Sequence, residues 1–548
     1  MLVPAASKEE AVYHGEVFTR RWVVDFMLDS ANYTADRDLR SVRLVEPAAG
    51  NGAFVLPALE RLSDSLMTHG GSLNDVADFF TAYELQERNA SSLTSAIDAF
   101  LTSRGWDGNA VAKFAKQAVV TADFLLTPHL PFSVDVVVGN PPYIRADDLG
   151  AERFARYKAV SPAMVGRADI YIAFFDIAMD SLTDGGVCVF ICADRWMRND
   201  YGKALRKKVI EGYSMDLVLS MHEADAFEEE VAAYPAITVV RRGAQGRAVI
   251  ATGDADFREK ESVRLSKWMA TESEPLRSRG VVADRISSWF NTEQSWPDGS
   301  PAVLSWLESL EESLPLVEET GIKFGIGVAT GADEVYCVKD DKVPDIEPDR
   351  LLPLLVADDI RAGGVYTPTG TLLVNPWAPD GLVDLDDYPK LRDYFEQHPR
   401  LKERHTAKAS PGKWWKTIDR VNFDILERPK LLFQDMKAET TPVLHGGGAY
   451  PHHNLYFAVA TEDRWDLNVL GGLMLSKVFE AQVAAFCVKM RGNTLRFQTQ
   501  YLRRVRVPAP EDISSDVQAA LAQAFRSRDR AAATAASLLA YGMDSLPD

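Results

Sequence analysis

The residues richest in chemistry are Asn140, Pro141, Pro142 and Tyr143. They put a carboxamide, a bare backbone carbonyl and a phenol ring on one turn. Two successive prolines fix φ and remove two backbone donors, and the residue before each is driven toward extended geometry. The result is a stiff turn that accepts hydrogen bonds and does not donate them. A rigid loop with a packed tyrosine is the plain alternative, but such a loop needs no amide, carbonyl and ring together. Three acids form a second set: Glu46, Glu84 and Asp123 each stand where a strand-like run ends. Each alone reads as a solvated loop charge, whereas together they would line one edge of one sheet. Glu46 disfavours a pyrophosphate and favours a ligand with a positive or donor-rich face, and an acid in the position of Glu84 commonly binds ribose hydroxyls.

The elements that must position these groups follow from the apolar pattern. Asp135 to Val138 is a β-branched run, as expected of a central parallel strand, ended by Gly139. It places the turn at a strand's carboxyl end, where open α/β sheets hold ligands. Val42 to Glu46 is a strand leading through Pro47, Ala48, Ala49, Gly50, Asn51 and Gly52 into an apolar helix. Gly50 and Gly52 let backbone approach a ligand, although the full dinucleotide fingerprint is absent. Phe79 to Leu85 and Val119 to Leu125 are further strands. Trp22 to Leu28 has helical spacing, and Thr19 sits where an N-cap belongs. Asp169 to Met179 reads as an apolar helix stopped by Gly185-Gly186, before a buried strand over Val187 to Ile191. Leu217 to Leu219 and Ala236 to Val240 are strand candidates, with a surface loop over Phe227 to Val231 between them. The pattern is a doubly wound, Rossmann-like α/β domain over 1–245, a linker or start of the second domain over 246–300, a mixed α+β domain over 301–510 and a helical tail over 511–548.

With 548 residues, more than one core is expected. A hydrophobic share of 46% and a charged share of 25% are those of a globular protein without a transmembrane span. The first residues carry no signal-peptide pattern, so a cytoplasmic location without membrane contact is expected. The four cysteines are scattered and read as reduced, buried thiols; no metal is expected. A net charge of −19 argues against an evenly basic coat, not against a local nucleic-acid surface.

The C-terminal half changes to short alternating runs. Phe324 to Gly331 and Val335 to Val338 read as a hairpin. Between Arg400 and Arg420, cations including Lys413 and Lys416 surround Trp414 and Trp415, a mix suited to phosphate contact and base stacking. A solvated loop with two core tryptophans is the alternative. A second basic run, Lys489 to Arg506, includes Arg491, Asn493 and Arg496 and has no acid nearby in sequence.

Thr19, the Glu46 to Gly52 loop, Glu84, Asp123 and Asn140 to Tyr143, followed by a large C-terminal region, resemble the gamma-class N6-adenine DNA methyltransferases of restriction–modification systems. The resemblance spans Gly15 to about Arg242; the likeness of the C-terminal part to the family's target-recognition domain is looser. Glu46, Ala49 and Asn51 replace the family's commoner Asp, Cys and Ser. The resemblance implies S-adenosylmethionine as cofactor. Thr19, Glu46, Pro47, Ala48 and Gly50 would hold its methionine end, Glu84 its ribose, and Asp123 with Phe124 its adenine, with Asn140 and Pro142 alongside. Asn140, Pro141 and Tyr143 would act on an adenine flipped out of double-stranded DNA, with Phe227 or Tyr234 as a second aromatic wall. Lys413, Trp414, Trp415, Lys416, Arg491, Asn493 and Arg496 would contact the DNA. A monomer is expected, with a separate cognate restriction endonuclease as partner. An RNA or protein-glutamine methyltransferase, an N4-cytosine enzyme, and a non-catalytic specificity or DNA-mimic protein are the alternatives. Pro344, Asp345 and Glu347 lack the strand and lysine context of a nuclease.

Overall fold

The structure, a computed structural model, describes residues 18–128, 133–228, 234–271, 274–361, 364–437, 439–487 and 494–547. The chain forms two compact units, Met1–Ala302 and Val303–Asp548. Among the described residues no single helix is long and apolar enough to cross a membrane.

In the first unit, ten strands make one sheet. They are β1 (Leu44–Glu46), β2 (Phe80–Glu84), β3 (Val119–Thr121), β4 (Val134–Gly139), β5 (Leu182–Ala193), β6 (Tyr213–Ser220), β7 (Pro235–Arg242), β8 (Ala248–Gly253), β9 (Leu276–Ser278) and β10 (Val281–Ile286). Their order is β3-β2-β1-β4-β5-β7-β6-β8-β10-β9. Strands β1 to β5 run parallel, while β7 is antiparallel to both β5 and β6. Every residue of β1 is buried, and β4 is buried at all but one position, as expected of parallel strands covered on both faces. Strand order reverses between β1 and β4, which opens a crevice at their carboxyl ends. Among the helices beside the sheet are α1 (Arg21–Ser30), α2 (Val55–His69), α3 (Glu87–Ser103), α4 (Ala151–Val160) and α5 (Tyr171–Ser181).

Several expectations are corrected. Residues 246–300 are not a linker: β8, β9 and β10 extend the central sheet, with α6 (Glu259–Met269) alongside. β9 and β10 are short and partly exposed, whereas β8 is a short buried apolar run that the linker reading passed over. Gly185-Gly186 does not stop α5 but lies inside β5, which begins at Leu182. The third strand stops at Thr121, and Phe124–Leu126 is a 3-10 turn whose first amides are met by Asp123. Thr19 caps no helix: α1 begins after Arg20 without a side-chain cap.

The second unit contains two four-stranded sheets. With β11 (Ile322–Ile326), β12 (Cys337–Lys339), β13 (Leu351–Leu355), β14 (Thr371–Val374), β15 (Lys430–Phe433), β16 (Val443–His445), β17 (Tyr450–Pro451) and β18 (Tyr456–Ala460), the orders are β11-β18-β15-β16 and β12-β14-β13-β17. The expected hairpin over 324–338 is therefore not formed, because β11 pairs with β18 and β12 with β14. Two helices, α7 (Leu467–Leu475) and α8 (Lys477–Phe486), precede α9 (Ser515–Ser527) and α10 (Arg530–Ala540). Gly471 and Gly472 leave room on α7 for Phe525 and the Leu521 backbone of α9, so the Ala-rich end is packed rather than loose.

Candidate active site

A cavity opens at the carboxyl ends of β1, β2 and β4. All the cofactor candidates except Glu46 line it: Thr19, Pro47, Ala48, Gly50, Glu84, Asp123, Phe124, Asn140 and Pro142. Glu46 is buried, 1% exposed.

The glycine loop is built around the two glutamates. Gly50 takes φ +52° and Gly52 φ +90°, the left-handed region that favours glycine. A Cβ on Gly52 would also strike Leu93 of α3. The Gly50 amide donates to Glu84 Oε2 and the Gln86 amide to Glu84 Oε1, each at 2.8 Å. The acid at the end of β2 thus holds the loop after β1. The Ala48 amide donates to Glu46 Oε1 at 3.2 Å. Among the described residues Glu46 Oε2 has no hydrogen-bond partner. Burial holds the Glu46 carboxyl well above its usual range, and the nearby Glu84 charge adds to the shift. Gly139 is required beside it, since a Cβ there would lie 2.5 Å from Glu46 Oε1.

The far wall sets Asp123, Tyr157 and Arg153 beside apolar side chains. For Asp123, Oδ1 accepts from the Leu125 amide at 3.0 Å and Oδ2 from the Tyr157 hydroxyl at 3.0 Å. Phe124 stacks on Phe174 of α5, with centroids 5.6 Å apart and planes 14° apart. Ile144 and Ile170 also line this wall. Tyr157, Arg153, Phe174 and Phe18 belong to the cavity and carried no sequence signal. Tyr157 and Arg153 lie on α4, a polar helix in which Tyr157 is the buried residue.

On the turn, Asn140 Nδ2 donates to Thr19 Oγ1 at 3.1 Å, which directs the amide nitrogen toward Thr19. The strand-like segment carrying Thr19 bridges to Phe227, with Arg20 N–H to Ala226 O at 3.0 Å and Glu228 N–H to Phe18 O at 2.9 Å. Tyr143 donates to Ile191 O at 3.3 Å. Its ring meets Phe227 edge-on, with centroids 6.4 Å apart at 83°. Phe227 is 6% exposed and so is not a surface-loop residue; of that expected loop, 229–231 lie outside the described residues. Tyr234 instead packs edge-on against His222 at 5.0 Å.

In the second unit, Lys413 is exposed and Lys416 Nζ donates to Ser410 Oγ at 3.0 Å. Trp414 and Trp415 are half-buried against the core. Trp415 Nε1 donates to Val383 O at 3.2 Å, and Lys402 Nζ lies 4.6 Å from the Trp414 ring. The second basic run has acids nearby in space. Arg496 pairs with Asp435 through contacts of 2.6 to 3.0 Å, Arg503 with Glu318 at 3.2 Å and Arg504 with Glu311 at 3.4 Å. The reading of that run as free of acids is corrected, and the charge of Arg496 is neutralised within the unit. Arg491 and Asn493 lie outside the described residues.

Comparison with known proteins gives the same picture. Residues 89–227 match the Eco57I restriction-modification methylase family. The chain is 40% identical to the type II methyltransferase M.PaeR7I of Pseudomonas aeruginosa, covering 96% of this chain and 92% of the relative. It is also 40% identical to M.XhoI of Xanthomonas vasicola, covering 97% of each, and 35% identical to M.BstVI of Geobacillus stearothermophilus, covering 92% and 91%. In fold it is similar to the Type IIL restriction-modification enzyme MmeI, solved in complex with DNA, at a TM-score of 0.56 and 12% identity, covering 96% of this chain and 74% of that one. The chain belongs to the family of type II restriction–modification methyltransferases.

Proposed function

We propose that the protein transfers a methyl group from S-adenosylmethionine to the N6 amine of an adenine flipped out of double-stranded DNA. The observation that carries this reading is a single cavity lined by the glycine loop, two strand-end acids and the Asn140 turn.

The cavity suits such a cofactor. The unpartnered Glu46 Oε2 and the adjacent Glu84 charge form a buried acidic end that a cationic group would relieve. Glu84, which lines the cavity, would accept from ribose hydroxyls, and the Asp123, Phe124 and Phe174 wall offers one acceptor beside flat apolar surface. Bound there, S-adenosylmethionine would supply an electrophilic methyl group. Glu46, Ala48 and Gly50 would hold its charged end and Thr19 would stand beside it.

An adenine amine is a weak nucleophile because its lone pair is delocalised into the ring. Asn140 Oδ1 and the Pro141 carbonyl would accept from its two hydrogens and draw the nitrogen toward tetrahedral geometry. These bonds strengthen as positive charge develops, so they favour the transition state over the ground state. With Nδ2 turned to Thr19, Oδ1 is the end of the Asn140 amide that would meet the base. Tyr143, held by its hydroxyl, would stack on the base at about 1–3 kcal/mol, with Phe227 rather than Tyr234 as the second wall. An amine inside a duplex is out of reach, hence the flip. Holding amine and methyl donor in one cavity then supplies much of the rate.

Lys413 and Lys416, beside the half-exposed edges of Trp414 and Trp415, are read as phosphate contacts, and the second unit as the reader of base edges. A separate endonuclease of the same system and a monomeric state complete this reading. Transfer of tritium from labelled S-adenosylmethionine to unmodified DNA tests it. Incorporation lost in Asn140→Ala supports the proposal, whereas incorporation into RNA or protein alone overturns it.

A further inference from the structure

Away from the cavity, in the second unit, three ligand-type side chains converge. Asp333 Oδ2 lies 3.2 Å from His452 Nε2, and His453 Nδ1 lies 3.1 Å from the same nitrogen. All three groups offer ligand atoms within 4.8 Å of one another. We propose that Asp333, His452 and His453 bind one divalent transition-metal cation of the zinc class, which pins the loop at 328–333 to the turn at 451–453.

Electron pairs carry the argument. His452 Nε2 faces a carboxylate oxygen on one side and an imidazole nitrogen on the other. A hydrogen on Nε2 points at one of them and leaves the other contact unsatisfied. A hydrogen on His453 Nδ1 pointed at Nε2 takes up that nitrogen's one lone pair, and Nε2 then has no hydrogen to give the carboxylate. A cation between the three atoms satisfies all of them at once. The two separations to His452 Nε2, 3.2 and 3.1 Å, match the about 3.3 Å between two ligands of a tetrahedral zinc with bonds of about 2.0–2.1 Å. Two imidazoles and one carboxylate suit zinc, nickel or cobalt, not magnesium or calcium. The carboxylate is also oriented, since Thr330 Oγ1 donates to Asp333 Oδ1 and leaves Oδ2 toward His452, the arrangement that outer partners give to metal ligands. His452 is buried, whereas Asp333 and His453 are exposed, which gives an ion a path in and leaves its remaining positions to water.

The site has a mechanical context. Val328 N–H donates to Pro451 O at 2.8 Å and His453 N–H to Val328 O at 3.0 Å. Gly327 has no Cβ where the Pro451 and His452 carbonyls crowd it. The same loop carries the basic-aromatic segment: Ala329 N–H donates to Asp419 Oδ2 at 2.9 Å, Asp419 N–H to Ala329 O at 3.0 Å, and Arg404 Nη1 to Thr330 O at 2.9 Å. A bound ion therefore stiffens the base on which residues 404–420 are mounted.

The test is calorimetric titration of the full, tag-free chain, stripped with chelator, with zinc chloride and separately with nickel chloride. One ion is expected per chain, together with a higher thermal midpoint that magnesium does not reproduce. His453→Ala and Asp333→Asn, both exposed positions, are each expected to weaken binding about tenfold or more and to abolish the thermal shift. Circular dichroism checks that each variant is folded, and if one is not, the other decides. Absence of binding by both ions, or binding that a folded variant leaves unaltered, overturns the proposal.

Discussion

Thr19 Oγ1 accepts from Asn140 Nδ2 at 3.1 Å across 121 positions of sequence. The bond ties the segment before the first helix to the turn after β4. It also holds the carboxamide with its nitrogen toward Thr19. Removing it frees the amide to rotate, and a neutral hydrogen bond of this kind is worth about 1 kcal/mol. Thr19→Val is therefore expected to lower kcat roughly fivefold to tenfold while changing cofactor affinity much less. Thr19→Ser, which keeps the hydroxyl, should restore most of the rate. Single-turnover kinetics with a parallel cofactor titration separate the two effects.

Glu46 carries a cost that a ligand can repay. Its folded pKa is raised above the usual 4.5 by burial. Below that usual value the carboxyl is neutral in both folded and unfolded states and costs nothing. As pH rises, the unfolded chain ionises first, so stability is lost progressively up to the raised folded pKa. Glu46→Gln should then melt higher than the parent at neutral pH without ligand, the difference vanishing toward pH 4. The same variant should bind S-adenosylmethionine about tenfold to a hundredfold more weakly, since charge-assisted hydrogen bonds are worth about 1.5–3 kcal/mol. Thermal melts across pH and a binding titration check both halves.

Phe227 stands edge-on to Tyr143 at 6.4 Å, and its backbone bridges to Thr19. Phe227→Ala keeps the bridge and removes the ring. Loss of an aromatic wall worth about 1–3 kcal/mol predicts a fall in kcat/KM of about tenfold to a hundredfold. Phe227→Tyr should restore most of it, and Tyr234→Ala should fall short of the same loss. With 2-aminopurine at the target position, the ring's removal should change the fluorescence of the extruded base.

Lys430 is fully buried in β15, with Nζ donating to the Leu426 and Ala449 carbonyls at 3.2 and 3.1 Å. Burial lowers its pKa from 10.5 to about 8. Below pH 8 both states are protonated and the cost of the buried charge is present in full. Between about pH 8 and 10.5 the folded state releases its proton first, so this cost shrinks as pH rises. Lys430→Met, which has no charge to bury, should gain over the parent at pH 7, and the gain should narrow toward pH 10. Denaturant melts of the two proteins across that range read the difference directly.

The acids and the Asn140 turn that the structure brings to one cavity were legible because each follows a strand-like run in the local pattern. Glu46, Glu84 and Asp123 follow apolar runs, and Asn140 to Tyr143 follow a β-branched one. What sequence concealed is long-range pairing. Thr19 has the residue type and place of a helix cap, and only the bridge to Phe227 shows its other role. Phe227 precedes a run of glutamates, which masks its burial. Tyr157 lies on a helix whose apolar face is a single residue. Arg496 finds Asp435 at a separation of 61 positions, so this arginine of an apparently free basic run is paired within the unit. The polar strands β9 and β10 alternate too weakly to be told from a linker, and the short buried β8 was passed over with them.

The most direct measurement is nucleoside mass spectrometry of plasmid DNA treated with the purified protein and S-adenosylmethionine, beside the Asn140→Ala protein. The account predicts N6-methyladenine as the new nucleoside, absent after treatment with the variant. Methylated cytosine alone, no methylated base, or undiminished N6-methyladenine from the variant would contradict it.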